Sequence, residues 1–246
     1  MPRVVAIDGP AGSGKSTVGY AVAQTLDYLC FDTGAMYRAV TWAAMARGIA
    51  IGDEQAIGAL AATLHIDILP PQPGHGDERN SVVVVDGEEI TGQIRRPEVD
   101  QQVSVVSAYA EVREAMSRQQ RRIGRRYGSG EAEKAGVVML GRDIGTVIMP
   151  DAPVKIYLDA TVDQRAKRRY RELQERGRDV AYNQVLGDLV RRDEIDSGRA
   201  LSPLRVAEGA VVLDTSNLTV DEAVHAVLQR IEYVACLHAG GDHGDP

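Results

Sequence analysis

Short apolar runs alternate with longer segments of helical periodicity along most of this chain, a pattern typical of α/β proteins. Five of these runs have the length and aliphatic composition of buried strands. They span residues 4–8, 28–32, 137–140, 154–159 and 210–214. The pattern therefore predicts an α/β core that contains five strands.

The segments between these runs carry apolar residues at helical spacing. Asp53 is a predicted N-cap, because its carboxylate can accept a hydrogen bond from a backbone N–H of the first helical turn. The predicted helices span about 15–26, 53–64, 109–127, 161–177, 182–197 and 219–234, with two more that end near 47 and begin near 97.

The middle of the chain departs from this alternation. Residues 66–69 and 82–85 form short aliphatic runs, and Asp86-Gly87 is a typical hairpin turn before 88–90. Residues 70–80 form a loop rich in proline, glycine and charge. Because hairpins do not continue a βαβ series, we expect a small antiparallel sheet within an insertion at about 65–102.

A glycine-rich segment connects the first predicted strand to the first predicted helix. Its spacing, G-x-x-x-x-G-K-S, is the P-loop pattern in the strand–loop–helix context that the pattern requires. Backbone N–H groups of such a loop surround phosphate oxygens, so Lys15 should bind the β- and γ-phosphates and Ser16 should coordinate Mg²⁺. The predicted triphosphate-binding residues are Gly9, Pro10, Ala11, Gly12, Ser13, Gly14, Lys15, Ser16 and Thr17.

Composition narrows the class of protein. The 246 residues suit one large domain or a core with an insertion, and 44% hydrophobic residues suffice for a sizeable core. No apolar run is long enough to cross a membrane, and the first strand leaves no room for a signal peptide. Cys30 and Cys236 fit no metal or redox spacing. We therefore expect a cytoplasmic protein with no membrane partner.

The formal net charge of −7 argues against a general nucleic-acid-binding protein. A local exception is a group of arginines at helical spacing: Arg118, Arg121, Arg122, Arg125 and Arg126. We interpret this group as a solvated helix face and expect no nucleic-acid partner.

P-loop proteins include GTPases, ATPases and small-molecule kinases, so other motifs must separate these classes. No asparagine is followed by lysine, which excludes the N-K-x-D motif of GTPases, and no strand ends in the Asp-Glu of many ATPases. The second Mg²⁺ ligand stays open among Asp8, Asp32 and Asp143.

The segment 161–199 is rich in arginine and lies between two predicted core strands. A kinase needs cations that neutralise two phosphate-bearing substrates and a cover that excludes water. Arginine suits bidentate phosphate binding better than lysine does. We therefore predict a helical lid in which a few of the arginines contact substrate.

Four segments, in this order, resemble bacterial cytidylate kinases: DGPAGSGKS at 8–16, DTGAMYR at 32–38, GRDIGT at 141–146 and RDEIDSGR at 192–199. The resemblance extends from about residue 3 to 232; a longer loop at 127–135 and the tail after 233 depart from the family pattern. It implies a P-loop NTPase-type five-stranded parallel sheet flanked by helices, with an NMP-binding insertion and a helical lid. It also implies phosphoryl transfer from ATP to CMP or dCMP with Mg²⁺.

The resemblance implies that the chain forms a single kinase domain. The implied core covers about 1–64, 103–160 and 200–234, the NMP-binding insertion 65–102, and the lid 161–199. The glycine- and aspartate-rich tail at 237–246 is expected to be disordered.

The resemblance also implies roles for individual residues. Those matched to base contacts are Thr33, Arg113 and Asp143; a carboxylate suits the N4 amine of cytosine and an arginine its acceptors. Those matched to ribose contacts are Ser104, Arg192 and Asp196. Those matched to the CMP phosphate or the transferring group are Arg38, Arg142 and Arg199. The implied catalytic residues are Lys15, Arg142 and Arg199.

Two alternative functions stay open at this stage. One is a related kinase that phosphorylates a sugar, a shikimate-like acid or UMP. The other is a non-catalytic nucleotide-binding regulator, which would not need two arginine clusters at one cleft. A monomer is expected, since no exposed apolar helix in the sequence argues for a dimer.

Overall fold

The computed structural model describes residues 1–71, 81–175, 177–199 and 201–240. Its strands are β1 (Val4–Asp8), β2 (Leu29–Asp32), β3 (Ile66–Leu69), β4 (Val82–Val85), β5 (Glu88–Glu89), β6 (Val137–Gly141), β7 (Val154–Asp159) and β8 (Val211–Asp214). Its α-helices are α1 (Lys15–Leu26), α2 (Gly34–Ala46), α3 (Glu54–Thr63), α4 (Pro97–Val106), α5 (Ala110–Gly128), α6 (Val162–Glu175), α7 (Tyr182–Gly198) and α8 (Val220–Gly240).

The five predicted core strands form one parallel sheet in the order β2-β6-β1-β7-β8. All residues of β1 and β6 are buried, as expected of central strands covered on both faces. The carboxyl ends of β1 and β6 lie side by side, with Asp8 paired to Gly141 in the register. Functional groups that follow these two strands therefore meet at one edge of the sheet.

Helices cover the sheet on both faces. On one face, α1 and α8 bury Val18, Val22 and Ile231 against Val5 and Ile7 of β1. On the other face, residues of α2, α3 and α5 form a larger core with β2, β6 and the antiparallel strands. This three-layer arrangement confirms the α/β fold class.

The antiparallel sheet expected in the middle of the chain has the order β3-β4-β5. Ile66, Ile68, Val83 and Val85 point into the large core, which fixes the strand register. Asp86 and Gly87 both have positive φ, of 51° and 89°, as a two-residue hairpin turn requires. Most of the predicted loop at 70–80 lies outside the described residues.

Two expectations from sequence are wrong in detail. Helix α8 continues to Gly240, whereas we expected it to end near 234 with a disordered tail from 237; residues 241–246 lie outside the described part. The arginines of α5 are not all solvated, because Arg121 donates to the Val147 and Ile148 carbonyls and Arg122 to the Ile66 carbonyl. The guanidinium groups thus tie α5 to its neighbours.

Candidate active site

The P-loop leaves β1 at Asp8 and enters α1 at Lys15. Gly9, Gly12 and Gly14 have φ of 148°, 77° and 95°, conformations that L side chains rarely adopt. A Cβ at Gly9 would overlap the Leu158 carbonyl oxygen of β7. The loop is thus tightly curled, as is typical of loops whose successive N–H groups bind phosphate.

Lys15 is buried beneath this loop. Its Nζ donates to the Pro10 carbonyl at 2.6 Å and lies 3.4 Å from Ser13 Oγ. Burial lowers the pKa of Lys15 well below its usual value, and the nearby Arg142 guanidinium lowers it further. A bound polyphosphate would stabilise the charged form of Lys15, because the anion would replace the hydration that burial removes.

Among the three aspartates considered as Mg²⁺ ligands, Asp32 is the one beside the P-loop serine. Ser16 Oγ lies 3.3 Å from Asp32 Oδ2, and Asp32 Oδ1 accepts from the Gly34 N–H at 2.9 Å. A hydroxyl and a carboxylate are the hard oxygen ligands that Mg²⁺ prefers. The carboxylates of Asp8 and Asp143 are engaged elsewhere.

Asp8 holds the loop that follows β6. Its two oxygens accept from the N–H groups of Ile144 at 2.9 Å and Gly145 at 2.7 Å. These N–H groups begin a π-helical turn, Ile144–Ile148, that the sequence pattern did not predict. Burial raises the pKa of Asp8 to about 6, although both hydrogen bonds oppose that shift. The last residue of β1 therefore positions the loop that carries Arg142 and Asp143.

Two residues matched to base contacts form a buried ion pair. Arg113 Nη2 of α5 lies 2.8 Å from Asp143 Oδ2, and the Arg113 guanidinium stacks 5.6 Å from the centre of the Tyr37 ring. Within the described residues, Arg113 Nε is buried and has no hydrogen-bond partner. Thr33, also buried, donates its hydroxyl to the Leu140 carbonyl of β6 at 2.8 Å.

A second cluster forms around Asp196 on α7. Its carboxylate bonds Arg142 Nε at 2.9 Å and Arg199 Nη2 at 2.5 Å. Burial alone would raise the pKa of Asp196, but Arg142, Arg199 and Arg192 together hold it below its usual value. Arg199 Nε is a further buried donor that finds no partner in the part of the chain that the structure describes.

The remaining predicted residues lie toward α4. Arg38 of α2 pairs with Asp100 of α4 and donates to the Ile94 carbonyl at 3.2 Å. Ser104 is exposed on α4, one helical turn after Asp100, and Arg192 is exposed on α7. The structure thus brings together the Arg113–Asp143 ion pair, the arginine cluster around Asp196 and the P-loop lysine. Ser104 lies at the margin of this group.

Sequence reasoning gave no role to the residues that brace the P-loop from outside. Arg165 of α6 donates to the Ala11 carbonyl at 3.0 Å and pairs with Asp193 of α7 at 3.1 and 2.6 Å. Thr215, just after β8, donates to the Ser13 carbonyl at 3.0 Å and accepts from Arg168 at 3.0 Å. No local motif marks these residues, because their partners lie 47 to 202 positions away or on the neighbouring helix α7.

A family comparison bears directly on this arrangement. The model of the family described as cytidylate kinase matches residues 5–233. The chain belongs to the cytidylate kinase family. As a member of the cytidylate kinase family it is an enzyme, a nucleotide-binding phosphotransferase, as the motifs predict.

Individual relatives are similar in sequence to this chain over nearly its whole length. The cytidylate kinase of Bacillus velezensis is 43% identical over 228 residues, covering 93% of this chain and 96% of the relative. That of Caldanaerobacter subterraneus is 44% identical over 227 residues, covering 92% and 93%. A solved gluconokinase structure from Sinorhizobium meliloti 1021 aligns over 98% of both chains, at 16% identity and a TM-score of 0.47.

The length and composition of the helices bear on whether any of them could cross a membrane. Across the described residues, none of the helices combines the length and the apolar composition that a membrane crossing needs.

Proposed function

We propose that this enzyme transfers the γ-phosphoryl group of ATP to CMP or dCMP, giving ADP and CDP or dCDP. The observation that carries the proposal is the buried Arg113–Asp143 pair beside the Asp196 arginine cluster, with Arg113 Nε and Arg199 Nε unpartnered among the described residues. Buried donors without partners are costly. A phosphorylated ligand with acceptor groups on its base would satisfy them.

The donor side is the P-loop. ATP binds with its β- and γ-phosphates on the loop N–H groups, and Lys15 exchanges its contact with the Pro10 carbonyl for the phosphate oxygens. Arg165 and Thr215 hold the carbonyls of Ala11 and Ser13, which keeps the loop N–H groups directed inward.

We assign the metal site to Ser16 and Asp32, whose side chains lie 3.3 Å apart next to the loop. When bound there, Mg²⁺ supplies positive charge to the β- and γ-phosphates. Asp32 would hold the metal directly or through a water, since Mg²⁺ commonly keeps several waters.

The acceptor base lies against Arg113 and Asp143. Asp143 accepts from the cytosine N4 amine, and the free Nε of Arg113 donates to N3 or O2. Thr33 adjoins them at the end of β2. UMP presents a carbonyl in place of the N4 amine, so the carboxylate of Asp143 disfavours it.

Three arginines bind the acceptor phosphate and the transferring group: Arg38, Arg142 and Arg199. Asp196 orients Arg142 and Arg199, and it lies with Ser104 and Arg192 among the groups assigned to the ribose. The charge that develops during phosphoryl transfer is spread over oxygens that these cations and Lys15 surround.

The core, insertion and lid boundaries given above remain part of this proposal. A monomer, as expected from the sequence, is also part of this proposal, and light scattering after size exclusion would test it. We place the enzyme in the cytoplasm, consistent with the unpaired Cys30 and Cys236.

The test is to follow label from γ-³²P-ATP into products with CMP, dCMP, UMP, shikimate or gluconate as acceptor. We expect labelled CDP and dCDP, and loss of at least about a hundredfold in rate for Lys15→Ala, since one preorganised charge is removed. Label in the UMP, shikimate or gluconate product instead would favour a related kinase. Binding of ATP without any labelled acceptor would favour a regulator.

A further inference from the structure

Asp100 of α4 contacts arginines from two other parts of the chain. Its Oδ1 pairs with Nη1 of Arg38 on α2, and its Oδ2 lies 3.8 Å from Nη2 of Arg178. Arg178 belongs to the loop between α6 and α7, at the tip of the lid. One carboxylate thus connects a proposed phosphate-binding arginine with the lid.

The contact with Arg38 fixes one edge of its guanidinium. Nη1 donates both to Asp100 and to the Ile94 carbonyl. Among the described residues these are the polar contacts of this guanidinium, so Nη2 and Nε are available to a phosphate. An arginine held in this way loses less rotamer freedom when it binds an anion.

The contact with Arg178 has different properties. Its distance of 3.8 Å and the partial exposure of both side chains indicate a weak ion pair. At the base of the lid, Arg165 is buried and bonded to the P-loop, so the base is fixed while the tip is attached loosely. A weak contact at the tip suits a lid that must open for product release.

We propose that Asp100 is a positioning residue that orients Arg38 for the acceptor phosphate and docks the lid tip through Arg178. Acceptor binding and lid closure are then coupled through one carboxylate. This inference rests on the proposed function, because Arg38 acquires its role from the CMP phosphate.

The test is a double-mutant cycle with Asp100→Asn, Arg178→Gln and both together, measuring KM for CMP and for ATP. Asp100→Asn should raise KM for CMP about tenfold and leave KM for ATP unchanged, because Arg38 loses its orientation. Arg178→Gln should raise KM for CMP about threefold, and the double variant should match Asp100→Asn alone, about tenfold. Arg171→Gln, on the exposed face of α6, is the matched control and should match the wild type.

An additive double variant, with KM for CMP raised about thirtyfold, would overturn the coupling. An equal rise in KM for ATP in Asp100→Asn would also overturn it, since the effect would then be general. If Asp100→Asn does not fold, a KM for CMP in Arg178→Gln no higher than in Arg171→Gln contradicts the inference. Failure of the proposed function is distinguishable, because the wild type would then form no CDP.

Discussion

Paired charges dominate the site at the level of single residues. Arg113 is held by Asp143, Arg142 and Arg199 by Asp196, and each pair is largely buried. Removing one partner of such a pair leaves an uncompensated buried charge, which costs about 3–5 kcal/mol. Conservative substitutions that keep shape and hydrogen bonding are therefore the informative ones here.

Asp143→Asn should narrow the preference for CMP over UMP. The amide keeps the size of the carboxylate, and it can rotate to donate to the O4 carbonyl of uracil, which the carboxylate cannot do. We expect kcat/KM for CMP to fall about ten- to a thousandfold and kcat/KM for UMP to fall less. Kinetics with CMP, dCMP and UMP check this.

A matched control for that experiment is Arg142→Lys, which alters phosphate binding and should slow both acceptors together. If Asp143→Asn lowers kcat/KM for CMP and UMP in equal ratio, Asp143 does not recognise the base.

Asp8 should make stability depend on pH. Its pKa of about 6 in the folded state exceeds the ordinary value of 3.8, so its stabilising contribution is complete below 3.8 and is lost as pH rises through 6. The unfolding free energy of the wild type relative to Asp8→Asn should therefore fall by about 3 kcal/mol from about pH 3 to about pH 7. Urea unfolding of both proteins across that range measures it. A difference that stays constant or rises with pH would contradict the raised pKa of Asp8.

Residue types at the site were predictable, but their partners were not. Lys15, Arg142 and Asp143 stand in recognisable motifs, whereas the Asp8 contacts with Ile144 and Gly145 span 136 and 137 positions. Pattern reasoning left three aspartates open as metal ligands, because the sequence does not show that Asp32 lies beside Ser16 while Asp8 and Asp143 bind other groups.

At the level of elements, the P-loop is packed directly against α6, a helix of the proposed lid. A Cβ at Gly12 would lie 3.1 Å from Arg165 Cβ and 3.3 Å from the Arg165 carbonyl oxygen. Arg165 in turn pairs with Asp193 of α7. The position of the lid base and the shape of the loop are thus one structural unit.

Gly12→Ala should raise KM for ATP about tenfold, because it combines an unfavourable positive φ with a close contact to α6. Gly48→Ala is the matched control, since Gly48 has φ of 68° and open space around its Cβ position. Both variants should lose about 1 kcal/mol of stability from backbone strain alone. Steady-state kinetics and urea unfolding separate the two effects, and equal KM values for ATP would contradict the packing argument.

Most strands and long helices followed from the hydrophobic pattern, because they bury a regular stripe or run. Strand β8, at the edge of the sheet, is an exception, since Val211 and Val212 are exposed. The end of α8 did not follow from the pattern, because Val234 is still buried while the residues after it offer no proline or other strong helix stop before Gly240. The π-helical turn at 144–148 depends on the Asp8 carboxylate, a tertiary contact that no local pattern contains.

At the level of the whole molecule, the sheet edge brings together the two substrate positions that we propose. The P-loop leaves β1 and the Arg142–Asp143 loop leaves β6, and these strands are neighbours in register. Lys15 and Arg142 lie close enough for the guanidinium to lower the lysine pKa. A donor phosphate and an acceptor phosphate can therefore meet between them, where their mutual repulsion is offset by these cations.

The most direct test of this account is the dependence of ADP release on the acceptor, at fixed ATP and Mg²⁺. If the site is complete only with both substrates, ADP release should be slow with ATP alone and should rise at least about a hundredfold with CMP or dCMP. UMP should give a much smaller increase, because Asp143 faces its O4 carbonyl. Rapid ADP release that is independent of acceptor, or equal stimulation by CMP and UMP, would contradict the account.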